Sequence, residues 1–321
     1  MIKLFTENRG IAALLLPLIV VGYMLMYTYY PKNGANIELY YGFFGTFSFS
    51  NNNYLSIIAG CFLLLNGALI NFVFNTHNFF EKITYLPALI YIVWMSFYNE
   101  MFIPSGLMLA HTFFILGIHQ LFFLNQNEDG RRRVFNAALF FGFSASLQPV
   151  VLAVFIFIFF SVWIFRPFVF RESMLIITGF VIPFLYAIVA LKFQNKSMWD
   201  DWEFTFIDWK NLTTPAFIFA GLIVVFFTFS RWGLSRQLHN CSIRLRKQIT
   251  ALRILFFVAI CMGAINFFTQ NTMPFSFAFI ILAFTSYYAF HFKPVAIFMN
   301  YFFALVFVLS IARFFISTIF W

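Results

Sequence analysis

The sequence predicts an all-α fold, a polytopic transmembrane helical bundle, from three observations. Of 321 residues, 62% are hydrophobic and only 10% charged, and the mean hydropathy is +0.87. So little polar surface cannot coat a soluble globule of this size, and lipid must serve as solvent. Apolar runs recur along the chain, separated by short polar turns, and basic residues are divided unequally among those turns.

In chain order, residues 1–10 form a polar leader with Lys3 and Arg9, followed by an apolar run over 11–29. A charged start is shared with signal sequences, but no small-x-small cleavage site follows, so an uncleaved anchor is expected. Residues 30–53 are rich in Tyr, Asn and Gly, and their run YYGFFGTF reads as interfacial because amphipathic rings favour the headgroup level. A second span covers 54–74 with Asn66 and Asn71, and a polar turn NTHNFFEK leads to a third over 83–97. Pro87 lies in this third span, as a membrane helix tolerates where neighbours satisfy the freed carbonyl.

A tight turn at Tyr98, Asn99 and Glu100 precedes a fourth span over 104–124, which holds His111 and His119. Eight residues apart, the two histidines fall roughly on one helical face. After NQNEDGRRR, residues 134–147 are short for a bilayer crossing and read as a short or broken helix capped by Pro149. Spans over 150–165 and 174–191 follow, with a basic hinge between Arg166 and Arg171. The loop over 192–214 alternates Trp with carboxylates and reads as a helix lying on the membrane surface. A span over 215–230, a basic cytoplasmic loop over 231–253, and spans over 254–268, 274–290 and 295–315 complete one integral membrane domain over residues 1–321.

The count is about 11 spans. With the N-terminus cytoplasmic and the C-terminus periplasmic, Lys3, Arg9, Lys82, Arg131, Arg132, Arg133, Arg166, Arg171, Arg231, Arg236, Arg244, Arg246, Lys247, Arg253 and Lys293 face the cytoplasm. These are 15 of the 20 basic residues; Lys32, Lys192, Lys196, Lys210 and Arg313 fall outside, with six of the 11 acids. The asymmetry follows the positive-inside rule. The basic patches serve as topology determinants that also meet anionic headgroups, so membrane lipids are expected partners and nucleic acid is not. Cys61, Cys241 and Cys261 lack ligand-like spacing, and no Walker loop or dinucleotide fingerprint is present.

The chemistry-bearing residues are few. His111 and His119 are the only ionisable groups well inside any span, where such groups pair or line a pathway. They are read as a proton relay, metal pair or substrate contact on one side, and on the other as neutral rings bonded to neighbours such as Asn66 or Gln148. On the outer face, Glu38 and Glu100 lie in separate loops, and Asp200, Asp201, Glu203 and Asp208 lie in the Trp-rich loop. A reaction on a lipid-linked substrate would use a surface carboxylate as base, and a second to hold a divalent metal against a pyrophosphate. Trp199, Trp202, Asp200 and Asp201 are the candidate substrate contacts there. Loop acids kept only for solvation are the competing reading, and no cofactor is required.

The run NAALFFGFSASLQPVVLAVFIFIFFSVWIF, a basic hinge and then ITGFVIPFLYAIV resemble the central spans of multi-span, polyprenol-dependent membrane glycosyltransferases. The stretch YLPALIYIVWMSFYNEMFIPSGLMLAHTFFILGIHQLFFL is similar to that family's third and fourth spans, so the likeness covers residues 54–190. It implies a periplasmic active site acting on a polyprenyl-linked sugar, with catalytic acids in the first two outer loops. By position those are Glu38 and Glu100. The family usually carries an Asp directly after the first span, where this chain has YTYYPKNGANIELYY, so the fold is expected to be shared more fully than the activity. The whole chain also resembles a family of polytopic Bacteroidota inner-membrane proteins of unknown function. Some of its members carry a carotenoid-oxygenase label, but five scattered histidines cannot supply the four iron ligands such enzymes need. The alternative to an enzyme is a non-catalytic membrane subunit binding lipid or another membrane protein; a transporter comes third.

Overall fold

A computed structural model describes residues 5–6, 10–29, 36–50, 53–80, 82–124, 129–194, 214–268 and 275–315. Eleven α-helices occupy most of them: α1 (Gly10–Tyr29), α2 (Asn53–Thr76), α3 (Leu86–Met95), α4 (Gly106–Phe122), α5 (Arg131–Leu147), α6 (Val154–Phe165), α7 (Phe170–Phe193), α8 (Thr214–Asn240), α9 (Ile243–Phe268), α10 (Ser276–His291) and α11 (Lys293–Phe315). Each corresponds to one of the apolar segments. Five helices, in α1, α2, α7, α9 and α11, are long and apolar enough to cross a membrane. The protein is an all-α membrane protein.

Several boundaries differ from expectation for identifiable reasons. Pro87 sits in the first turn of α3, where the missing N–H has no partner to lose, so no carbonyl is freed in mid-helix. The three arginines open α5 rather than preceding it. Residues 231–253 are not a loop: α8 runs on to Asn240 and α9 starts at Ile243, leaving a turn at Cys241 and Ser242. Arg, Lys, Gln and Leu are good helix formers, so polarity there ended the apolar run without ending the helix. The turn after α3 is a 3-10 segment over Asn99–Phe102. Between α1 and α2, where the aromatic run reads as interfacial, the described residues form an antiparallel hairpin, β1 (Asn36–Tyr40) and β2 (Thr46–Ser50). A 3-10 turn over Gly42–Phe44 makes its tip.

The helices sort into a core and a rim. Every residue of α3 is buried, as is α10 from Ser276 to Phe290. α10 packs on α3, α8, α9 and α11, and the Trp94 and Phe279 rings stack at 5.0 Å between α3 and α10. By contrast only 22% of the α1 window and 28% of the α11 window are buried, leaving Leu14, Leu18, Tyr301 and Val308 on the outside. On a second flank, α5 packs against α4 and α7 through small residues. A Cβ on Gly142 would come 2.5 Å from the Phe180 carbonyl oxygen, and one on Gly179 would come 2.8 Å from that of Phe135. Backbones this close gain dispersion contact where lipid offers helices no hydrophobic drive to associate.

Candidate functional site

Connections from distant parts of the chain gather at two opposite ends of the helices. At the first, the hairpin tip is the hub. Gly42 has φ +60°, and its α-carbon lies so close to Leu147 that a Cβ there would meet the Leu147 and Ser146 carbonyls. Only glycine combines that conformation with that approach. The Tyr41 hydroxyl donates to the Pro104 carbonyl at 2.7 Å, and Gly106 at the start of α4 lies under Tyr41. From the end of α7, the Gln194 amide donates to the Phe44 carbonyl at 3.0 Å. The connection between α1 and α2 thus touches the segment that follows Glu100 and the residue that ends α7. Beside it, Tyr27 stacks on Phe102 at 5.0 Å.

Arg313, counted among outer-face basic residues, is buried in the last turn of α11. Its guanidinium donates to the Phe97 carbonyl and lies over the Phe314 ring at 4.7 Å. It therefore satisfies a carbonyl at the end of the α3 region and gains a cation–π contact, instead of facing water.

Glu38 occupies the middle of β1, opposite Ser48, and Glu100 lies in the 3-10 segment before Pro104. Their side chains, and Trp199, Asp200, Asp201 and Trp202 with Glu203 and Asp208, lie outside the described residues. What the structure brings together is the connection between α1 and α2, the segment before α4 and the end of α7.

The histidines go to different surroundings despite their shared helix. His111 is wholly buried. Its Nδ1 bonds the Tyr91 hydroxyl at 2.9 Å and its Nε2 lies 3.3 Å from the Ser276 hydroxyl. Those partners replace the expected Asn66 and Gln148. Asn66 is otherwise engaged, donating to the Met108 carbonyl and accepting from Thr112. With both nitrogens engaged and no exposure, His111 links α3, α4 and α10 as a neutral ring.

His119 lies at the second end, where its Nδ1 pairs with the Nε2 of His77 at 3.1 Å. Sequence reading left His77 in a polar turn; its partner is 42 residues away, and no local signal announces such a pair. Burial, then the neighbouring His119 and the Arg244 and Arg133 charges, lower the His77 pKa to about 3. Around the pair, the Arg133 guanidinium sits 4.4 Å over Phe123 and donates to Gln120.

The same end collects the basic turns. Lys247 donates to the Phe165 carbonyl, Tyr288 to that of Phe79 and Thr84 to that of Phe5. Arg166 pairs with Glu172 at 3.6 Å, and both are largely buried, a second ionisable pair that the sequence reading did not single out. Among the described residues, no three His, Cys, Asp or Glu side chains gather as metal ligands.

No protein-family model, no curated protein and no solved structure matches this chain.

Proposed function

We propose that this chain is an eleven-pass protein of the bacterial inner membrane, N-terminus inside, that works at its outer face on a polyprenyl-linked sugar. In this reading it is a relative of the polyprenol-dependent glycosyltransferases, with Glu38 and Glu100 as the acting carboxylates. The observation that carries the reading is the hairpin hub. The Tyr41–Pro104 and Gln194–Phe44 hydrogen bonds join the loops bearing Glu38, Glu100 and the Trp-rich acids. One carboxylate serves as base for the acceptor hydroxyl, and the other orients the acceptor or holds a divalent metal against the phosphate. The orientation is supported by the clustering of Lys82, Arg133, Arg166, Arg244 and Lys247 at the end opposite the hub.

The test is mass spectrometry of lipids retained after purification in mild detergent. A polyprenyl phosphate or lipid-linked sugar is expected with the native chain, turned over by it, and turnover should fall at least 100-fold in Glu38→Gln or Glu100→Gln. Full turnover in both variants would overturn the assignment.

A second reading, a non-catalytic subunit that binds lipid or another membrane protein, is favoured by the burial of His111, whose two ring nitrogens are engaged by Tyr91 and Ser276. Under that reading a membrane protein co-purifies in fixed stoichiometry, no lipid-linked sugar is retained, and the two carboxylates are dispensable.

A further inference from the structure

Among the described residues, one apolar cleft has two arginines in its lining. It lies between α8, α9 and α10, with Phe227, Arg231 and Leu234 on one wall and Arg253, Phe256 and Phe257 on another. Phe227 and Phe256 stack at 4.1 Å and close its apolar end.

The two arginines mark one level on the antiparallel pair. Arg231 is nine residues before the end of α8 and Arg253 ten residues after the start of α9, about 14 Å and about 15 Å from the intervening turn at 1.5 Å per residue. On the far side of both, residues 221–230 and 254–268 contain no charge. Arg231 and Arg253 therefore stand where the apolar stretch of each helix ends, the level of lipid headgroups.

Among the described residues no acid pairs with either. Both side chains line the same cleft, and the Arg253 Nε is buried without a hydrogen-bond partner. The acids described at this end are engaged elsewhere, Asp129 with Arg131 and Glu172 with Arg166. Two like charges held together against apolar walls need an anion, and a guanidinium pair matches phosphate oxygens with several donors at once. Half-exposed Phe257 and the adjoining apolar faces continue from that point as a surface for an acyl chain.

We propose that the α8–α9 cleft is a binding site for an anionic phospholipid, its headgroup phosphate held between Arg231 and Arg253 and its acyl chain lying along Phe257. The site is independent of any catalytic role at the outer face.

Native mass spectrometry of the full chain in mild detergent, titrated with phosphatidylglycerol or phosphatidylcholine, tests it. Phosphatidylglycerol should be retained in preference. Arg231→Gln and Arg253→Gln should each weaken it about fivefold, and the double variant about 30-fold. Arg253→Lys keeps the charge but loses the fork of donors and should bind between the native chain and Arg253→Gln, and the Arg132→Gln/Arg171→Gln double variant, with the same charge lost outside the cleft, should be unchanged. Equal retention of the two lipids, equal weakening by the control pair, or displacement of phosphatidylglycerol by millimolar inorganic phosphate would each overturn the proposal. A monodisperse elution profile for Arg231→Gln, Arg253→Gln and their double variant separates lost binding from lost fold.

Discussion

Replacing Gly42 with alanine tests the hub directly. Gly42 has φ +60°, and an alanine held in the left-handed region costs about 1–2 kcal/mol. The new methyl group would also fall within 3.0 Å of the Leu147 and Ser146 carbonyls. Those are backbone atoms at the end of α5 and cannot swing aside as a side chain would, so overpacking adds about 1–3 kcal/mol. The expected cost is about 2–5 kcal/mol. It falls on the hairpin tip before it falls on the bundle, because the loop can lift without opening the helices. The informative control is Gly22→Ala in α1. No atom lies within 4 Å of that added methyl, and alanine in a helix interior is favoured over glycine by about 0.5–1 kcal/mol. The same chemical change should thus act with opposite sign at the two sites. Protease cleavage between residues 30 and 53 should rise sharply in Gly42→Ala and stay at the native level in Gly22→Ala, with the thermal midpoint in mild detergent reported alongside. If Gly42→Ala is cleaved no faster than the native chain and melts with it, the hairpin does not hold the outer loops together and the functional reading built on it fails.

Two other measurements address the basic end. The His77 pKa is lowered to about 3 in the folded chain, against about 6.5 when unfolded. The unfolded chain therefore takes up the proton first; this contribution is complete above pH about 6.5 and is lost progressively as pH falls toward 3. The thermal midpoint should drop between about pH 7.5 and about pH 5, and His77→Asn should flatten that drop; an unchanged slope would show that another group titrates. Glu172→Gln should destabilise by about 3–5 kcal/mol because it leaves the Arg166 guanidinium buried and uncompensated, while Arg166→Met/Glu172→Leu should recover most of the loss. Equal losses in the single and double variants, measured by thermal unfolding, would contradict that coupling.

The apolar segments were legible because lipid demands a run of apolar residues whatever the neighbours are. That is why each predicted span has a helix in the same place, even though only five are long enough by themselves to count as crossing segments. The basic tract over 231–253 was misread for the converse reason: charge reports where a helix leaves the apolar layer, not where it ends. Of the candidate site residues, His111 and His119 were found because ionisable groups in apolar runs stand out. Their partners were not, since Tyr91, Ser276 and His77 reach them across 20, 165 and 42 residues. The hairpin was also missed. Its turn relies on Gly42 and Gly45 at positive φ, and the run YYGFFGTF gave a stronger impression of an interfacial aromatic belt than of a turn flanked by strands.

Composition and periodicity were sufficient for the class of protein and the positions of its helices. These follow from transfer between water and lipid, residue by residue. They could not tell which helices form the core, because lipid and protein interior are equally apolar: α10 and α11 read alike, yet α10 is enclosed almost throughout and α11 mostly faces outward. Nor could they join Tyr41 to Pro104, Gln194 to Phe44, or Arg231 to the same cleft as Arg253. Beside those pairings lie close approaches at Gly42, Gly106 and Gly233, where the absence of a side chain lets backbones meet.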